Sequence, residues 1–188
     1  MSQFLAPIHF WLYEKIENQE NWIDEILNKI GEKESFRQRE GGLPEGGLEK
    51  NIDTGSIHGW LQEQIQESEK RLARAVALGK EKGLSLEDLK EIYFSQGKKR
   101  RVEDPKAFYQ KVNDSLLDGM PCDRVNQLVE ETDTSLAWER TADLHGTFFE
   151  EEGLKGEDYY ELRDAFLQGM AGNMEYERKQ NQYCIRRV

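Results

Sequence analysis

Residues 8–16 read Ile-His-Phe-Trp-Leu-Tyr-Glu-Lys-Ile, and 49 positions later residues 57–65 read Ile-His-Gly-Trp-Leu-Gln-Glu-Gln-Ile. The two segments match at Ile, His, Trp, Leu, Glu and Ile. In each segment a leucine and an isoleucine follow the histidine at offsets of three and seven, which places the three side chains on one face of an α-helix. The repeat therefore predicts two long amphipathic helices, over about residues 6–30 and 56–82.

The composition predicts one folded domain over residues 1–188. A chain of 188 residues is long enough to bury about 70% of its unfolded surface. Four Trp, eight Phe and seven Tyr supply anchors for a packed core. The 37 acidic and 26 basic side chains give a net charge of −11, which disfavours non-specific binding to nucleic acid or to an anionic membrane.

The sequence contains neither a secretory signal nor a membrane-spanning segment. Charged residues follow Met1 too soon for an apolar signal core, and no run approaches the roughly 18–20 apolar residues of a spanning helix. Cys122 and Cys184 stand alone without metal-ligand spacing, which is typical of reduced thiols. We therefore predict a soluble, cytoplasmic protein with no membrane partner.

The two repeat helices are separated by residues 31–56, which predict a long Gly-rich connecting loop. A connection of this length allows the second helix to run parallel to the first, as in a bundle with a crossover. Further helices are predicted over about residues 85–97, 104–119 and 157–181, with one or two helices between 125 and 152. No segment alternates with period two for long enough to predict a strand. The predicted fold is an all-α helical bundle of about four long helices and one or two short ones.

The three histidines of the chain suggest a metal site. With parallel repeat helices, His9 and His58 lie at one end of the bundle, and an antiparallel helix would bring His145 to the same end. Three imidazoles and an open position are the ligand set of a catalytic site for Zn²⁺, Ni²⁺, Mn²⁺ or Fe²⁺. Carboxylates that could join or orient this set are Glu14, Glu63, Glu139, Asp143 and Glu152.

A second interpretation gives these histidines no ligand. Each lies on the apolar face of its predicted helix, where an imidazole often packs its ring and makes one hydrogen bond to the backbone. The repeat would then be two helices with the same packing, anchored by Trp11 and Trp60, in a non-catalytic interaction protein or a homo-oligomer.

Residues 55–57 (Gly-Ser-Ile) and 60–61 (Trp-Leu) resemble the metal-binding bundles of the DinB type, which hold a metal with histidines inside four helices. The histidine pair four residues apart in the last helix of that family is absent here. The resemblance covers five residues and assigns no family.

A third interpretation rests on carboxylates. Residues 150–152 (Glu-Glu-Glu), Glu161 and Asp164 are similar to the ExxE…ExxD pattern of all-α nucleotide pyrophosphohydrolases, which bind Mg²⁺ through two helices. The three consecutive glutamates would point in different directions around a helix. Near-matches to the ExxE…ExxD pattern are also expected by chance in an acidic chain. The basic run at residues 98–101 lacks interleaved aromatic residues, so it does not predict a nucleic-acid site. No substrate is indicated.

Overall fold

The computed structural model describes residues 5–188, which fold as eight α-helices and a four-stranded sheet. The helices are α1 (Pro7–Ile30), α2 (Lys33–Glu40), α3 (Leu48–Asn51), α4 (Ile57–Glu81), α5 (Leu86–Lys98), α6 (Pro105–Ser115), α7 (Gly146–Glu151) and α8 (Gly156–Ala171). The strands are β1 (Asn126–Glu131), β2 (Ser135–Arg140), β3 (Glu175–Lys179) and β4 (Gln182–Arg186). A short 3₁₀ turn, Pro121–Asp123, precedes β1.

The prediction of an all-α bundle is wrong, because the chain contains an antiparallel sheet in the order β1-β2-β4-β3. Strands β1 and β2 occupy the first part of residues 125–152, where only α7 is helical, and β3 and β4 replace the end of the last predicted helix. Its inner face is built from cross-strand pairs. Trp138 of β2 faces Tyr183 of β4, and their rings stack with centroids 5.2 Å apart. Cross-strand aromatic pairs of this kind stabilise antiparallel sheets. Leu136 and Ile185, two positions along, are also buried.

Helices α1 and α4 run parallel and in the register of the sequence repeat. His9 of α1 contacts His58 of α4, and Gln19 hydrogen-bonds Ser68, both at a separation of 49 residues. The same Gln19 amide also donates to Glu69, the residue after Ser68. The connection between the two repeat helices is therefore a crossover, the arrangement that its length allowed.

The long Gly-rich connection predicted over residues 31–56 contains two short helices, α2 and α3. Phe36 of α2 and Leu48 of α3 are buried against the helices they connect. Arg37 of α2 also donates to Glu20 and Asp24 on α1. The crossover is therefore packed and hydrogen-bonded to α1.

The largest core lies between α1, α4, α5, α8 and the sheet, and a smaller one fills the space between the first halves of α1 and α4. Helices α5 and α8 approach closely through two glycines. A methyl group at Gly97 would collide with the carbonyl oxygen of Phe166, and one at Gly169 with that of Phe94. Gly97 therefore lies inside α5 as a contact point and does not end the helix as the sequence suggested. None of the helices within residues 5–188 combines the length and the apolar character needed to cross a bilayer.

Candidate functional site

The histidine pair at the start of the two long helices is one of two notable polar sites. His9 Nε2 lies 3.3 Å from His58 Nε2, and both side chains are reached by solvent. The Nδ1 atom of His9 accepts a hydrogen bond from the backbone N–H of Ala6. In the neutral ring the proton of His9 therefore lies on Nε2 and points at His58. Partial burial, together with the nearby His58, lowers the pKa of His9.

His145 does not join this pair. It is 1% exposed and contacts Glu69, which lies 11 residues, or about 16 Å of helix, beyond His58 on α4. The structure thus brings together two of the three predicted histidine ligands. Within residues 5–188 no group of three or more His, Cys, Asp or Glu side chains is placed to hold a metal ion. Metal binding by the histidines stays a prediction.

The predicted carboxylate ligands are dispersed. Glu14 and Glu63 are exposed on α1 and α4, and Glu139 is half-buried in β2. Asp143 caps the start of α7, because one of its oxygens accepts hydrogen bonds from the backbone of His145 and Gly146 and from the Tyr160 hydroxyl. The fifth, Glu152, pairs with Arg74.

The second polar site is a buried ionic cluster centred on Asp118. The two oxygens of this carboxylate accept hydrogen bonds from both terminal nitrogens of Arg163, the more distant at 3.1 Å. His145 Nε2 lies 3.3 Å from the same carboxylate, and the amide of Asn126 donates to it. Burial by itself would raise the pKa of Asp118, but the Arg163 guanidinium and His145 outweigh it and hold that pKa well below its usual range.

His145 is held between two carboxylates. Its Nδ1 lies 2.9 Å from Glu69, opposite the Asp118 contact, and its ring stacks on Tyr159 with centroids 3.8 Å apart. Burial would lower the pKa of His145, but Glu69 and Asp118 overcome this effect and raise it to about 9. The imidazole is therefore a buried cation at neutral pH, with both nitrogens donating.

This charge state predicts a pH dependence of stability. The folded pKa of about 9 lies above the unfolded value of 6.5, so the contribution of His145 is complete below pH 6.5 and is lost as the pH rises through 9. The free energy of unfolding should fall by about 1 kcal/mol per pH unit in this window. Urea denaturation of the parent and of His145→Gln between pH 6 and 8 measures it. The advantage of the parent should shrink with pH, and a constant difference would contradict the assignment of a charged imidazole.

Lys15 lies beside the cluster but is not paired within it. The residue is 4% exposed, and its Nζ lies 4.1 Å from the centroid of the Trp11 ring on the preceding turn. Burial lowers the pKa of Lys15 to about 8, with Asp118 opposing this effect and Arg163 adding to it. In the described part of the chain no carboxylate forms an ion pair with Nζ, and the charges that act on it do so from a distance.

A cavity of about 540 Å³ opens at this lysine. Its wall combines polar and apolar side chains from α1, α6 and the segment that leads into β1. The lining residues include Trp11, Lys15, Tyr109, Asn113, Asp118 and Arg124. A volume of this size is typical of small-molecule sites.

Arg124, at the mouth of the cavity, has a backbone conformation that is rare for a side-chain-bearing residue. Its φ is +47°, in the left-handed region that disfavours residues other than Gly, Asn and Asp. Strain of this kind persists where the surrounding structure enforces it, and it is frequent at ligand sites. The turn places Arg124 on the cavity wall.

The charges around the cavity do not balance. Lys15, His145 and Arg163 are cations, whereas the cluster contains two carboxylates, Glu69 and Asp118. Asp114, whose carboxylate also acts on Lys15, is exposed and accepts a hydrogen bond from the Trp11 indole. Among the buried groups there is therefore one excess positive charge, that of Lys15, which lines the cavity.

Comparison with known protein families, curated proteins and solved structures gave no match to the chain.

Proposed function

We propose that the chain binds a small organic molecule with an anionic group in the cavity at Lys15. The observation that carries this proposal is the buried, unpaired ammonium group of Lys15 on the wall of a ligand-sized cavity. An isolated buried charge is costly. A bound carboxylate or phosphate would balance it, with Arg124 as a second cation for the same ligand.

A set of small anions tests the proposal. Pyruvate, citrate and inorganic phosphate are titrated into the full chain by calorimetry at low salt, beside Lys15→Met and Lys106→Met. Lys106 is the control, because its side chain is 66% exposed. At least one anion should bind the parent and Lys106→Met, whereas Lys15→Met should lose at least about tenfold in affinity, or 1.4 kcal/mol. Failure of all three anions to bind the parent, or equal binding by Lys15→Met, would contradict the proposal.

A second candidate function, divalent-metal binding, is supported by the separation of His9 and His58. Two nitrogens on a tetrahedral Zn²⁺ with bonds of about 2.0–2.1 Å are about 3.3 Å apart, and 3.3 Å is the separation of the two Nε2 atoms. The lowered pKa of His9 keeps that ring neutral and free to bind. A metal on His9 Nε2 would move its proton to Nδ1, so the hydrogen bond from Ala6 would have to be released.

Elemental analysis tests the metal proposal. The chain is purified without chelator, incubated with Zn²⁺, Ni²⁺, Mn²⁺ or Fe²⁺, and compared with His9→Ala/His58→Ala. A matched variant, Glu14→Gln/Glu63→Gln, changes exposed carboxylates five residues further along the same two helices. We expect metal in the parent and in the carboxylate variant and none in the histidine variant. Retention of the metal in the histidine variant would place the ion elsewhere.

The other predictions from the sequence stay open. A cytoplasmic location, a homo-oligomer and a Mg²⁺-dependent nucleotide hydrolase remain proposals. For the hydrolase, Glu161 contacts Lys90 and Asp164 binds Arg178 and Tyr176, so both carboxylates have partners in the chain itself.

A further inference from the structure

Anion binding does not by itself explain why the cavity contains a buried lysine. An anion is bound well by an arginine, whose guanidinium stays charged and donates in two parallel directions. Lys15 instead presents a primary amine that is buried, held against the Trp11 ring and without a partner in residues 5–188. Lysines that are desolvated or lie near another cation can act as nucleophiles toward carbonyl compounds.

We propose that the Lys15 amine forms an imine with the carbonyl carbon of a small oxo acid bound in the cavity. This inference rests on the proposed function, since the acid group is the anion whose binding was proposed above. Lys15 is the reacting residue, and Arg124 at the mouth receives the carboxylate.

The charge balance of the site favours this product. Before reaction, three cations face the two carboxylates of the cluster. A neutral imine removes the charge of Lys15 and leaves His145 and Arg163 matched to Glu69 and Asp118. The carboxylate of the ligand retains a partner of its own in Arg124. Each buried charge of the cluster is then paired.

Part of the Lys15 population also has an unprotonated amine near neutral pH. A lysine with a pKa of about 8 is deprotonated in roughly a tenth of molecules at pH 7, whereas an ordinary lysine is almost wholly protonated. Proximity to Arg163 contributes to this lowering, after burial.

The reaction balances without an oxidant or a reductant. The Nζ lone pair attacks the carbonyl carbon and forms the C–N bond, and one amine proton moves to the carbonyl oxygen to give a carbinolamine. The C–O bond then breaks, and the oxygen leaves as water with both amine protons. The product is the neutral C=N imine, which hydrolysis reverses.

Borohydride trapping tests the inference. The full chain is incubated at neutral pH with pyruvate or glyoxylate, reduced with borohydride and mapped by peptide mass spectrometry. The expected result is a carboxyethyl or carboxymethyl group on Lys15 at a yield at least about tenfold above that on exposed Lys106, because Lys15 has more free amine. Lys15→Arg, which retains a cation but has no reactive amine, should show no adduct at this position.

Calorimetry of the same acids without reductant separates the two proposals. If pyruvate or glyoxylate binds the parent but the yield on Lys15 does not exceed that on Lys106, the imine is excluded and anion binding stands. If neither acid binds and neither is trapped, the imine is excluded, and citrate and phosphate decide the proposed function. An adduct at Lys15 that requires the oxo acid and is absent from Lys15→Arg supports both the imine and the binding of an anionic ligand.

Discussion

Replacing Asp118 by asparagine is expected to lower the free energy of unfolding by about 3–5 kcal/mol, the range found when one partner of a buried ion pair is removed. The side chain is 6% exposed, and that of Arg163 is 1% exposed. The substitution conserves shape but removes the negative charge. Arg163 and His145 would then be buried cations with only Glu69 to balance them.

Urea denaturation at pH 7, followed by circular dichroism, measures this effect. Asp133→Asn is the matched control, because Asp133 is exposed in the turn between β1 and β2 and should change stability by no more than about 0.5 kcal/mol. Replacing both partners in Asp118→Leu/Arg163→Met should cost less than Asp118→Asn alone, since no unpaired charge remains at this pair. If Asp118→Asn cost less than about 1 kcal/mol, the cluster would not depend on this carboxylate.

The pH dependence of the Asp118 contribution has the opposite sign to that of His145. The folded pKa of Asp118 is held well below the ordinary value of 3.8. Its contribution is therefore present above pH 3.8 and is lost as the pH falls through the folded pKa. Acid should thus reduce the difference in stability between the parent and Asp118→Asn.

The two long helices could be predicted from the sequence because their patterns extend over many turns. The predicted ranges 6–30 and 56–82 compare with Pro7–Ile30 and Ile57–Glu81 in the structure. The 49-residue repeat also reports their spatial register, since His9 meets His58.

The sheet could not be recognised because its strands are five or six residues long. Each inner strand contributes two buried alternating positions, Leu136 and Trp138 in β2 and Tyr183 and Ile185 in β4. Two buried positions in each strand are too few to show a period-two pattern in the sequence. The pairing of β2 with β4 also joins residues that are nearly 50 positions apart in the chain. The last predicted helix was also too long, because Gly172, with a φ of +62°, follows the end of α8.

The site was partly visible in the sequence. The repeat identified His9 and His58, but it did not identify the cluster, whose members come from α4, α8 and two connecting segments. One local feature of the sequence did indicate the site. Lys15 and Gln19 follow Leu12 at offsets of three and seven, so both lie on the buried face of α1. A charged residue at such a position is buried only at a cost, and it marks a candidate site.

Replacing Lys15 by methionine is expected to weaken anion binding at least about tenfold and to raise the free energy of unfolding by about 1–3 kcal/mol at pH 7. Methionine approximates the length of the lysine stem and lacks the ammonium group. Folding of the parent buries a charge without a partner, as the lowered pKa of about 8 records. Lys15→Met buries no charge on folding, and the methionine side chain makes this part of the cavity wall apolar.

The pH dependence distinguishes this cause from better packing. The folded pKa of Lys15 is about 8 and the ordinary value is 10.5, so the unfolded chain binds the extra proton between these values and the parent gains stability as the pH rises through them. The advantage of Lys15→Met should therefore be largest below pH 8 and shrink toward pH 10.5, whereas a packing gain would be constant. Urea denaturation of both proteins at pH 7 and 9 measures the difference, and the His145 contribution cancels because both proteins share it. A loss of stability in Lys15→Met at pH 7 would mean that the ammonium group has a stabilising partner, and Lys15 would then be a structural residue and not a ligand-binding one.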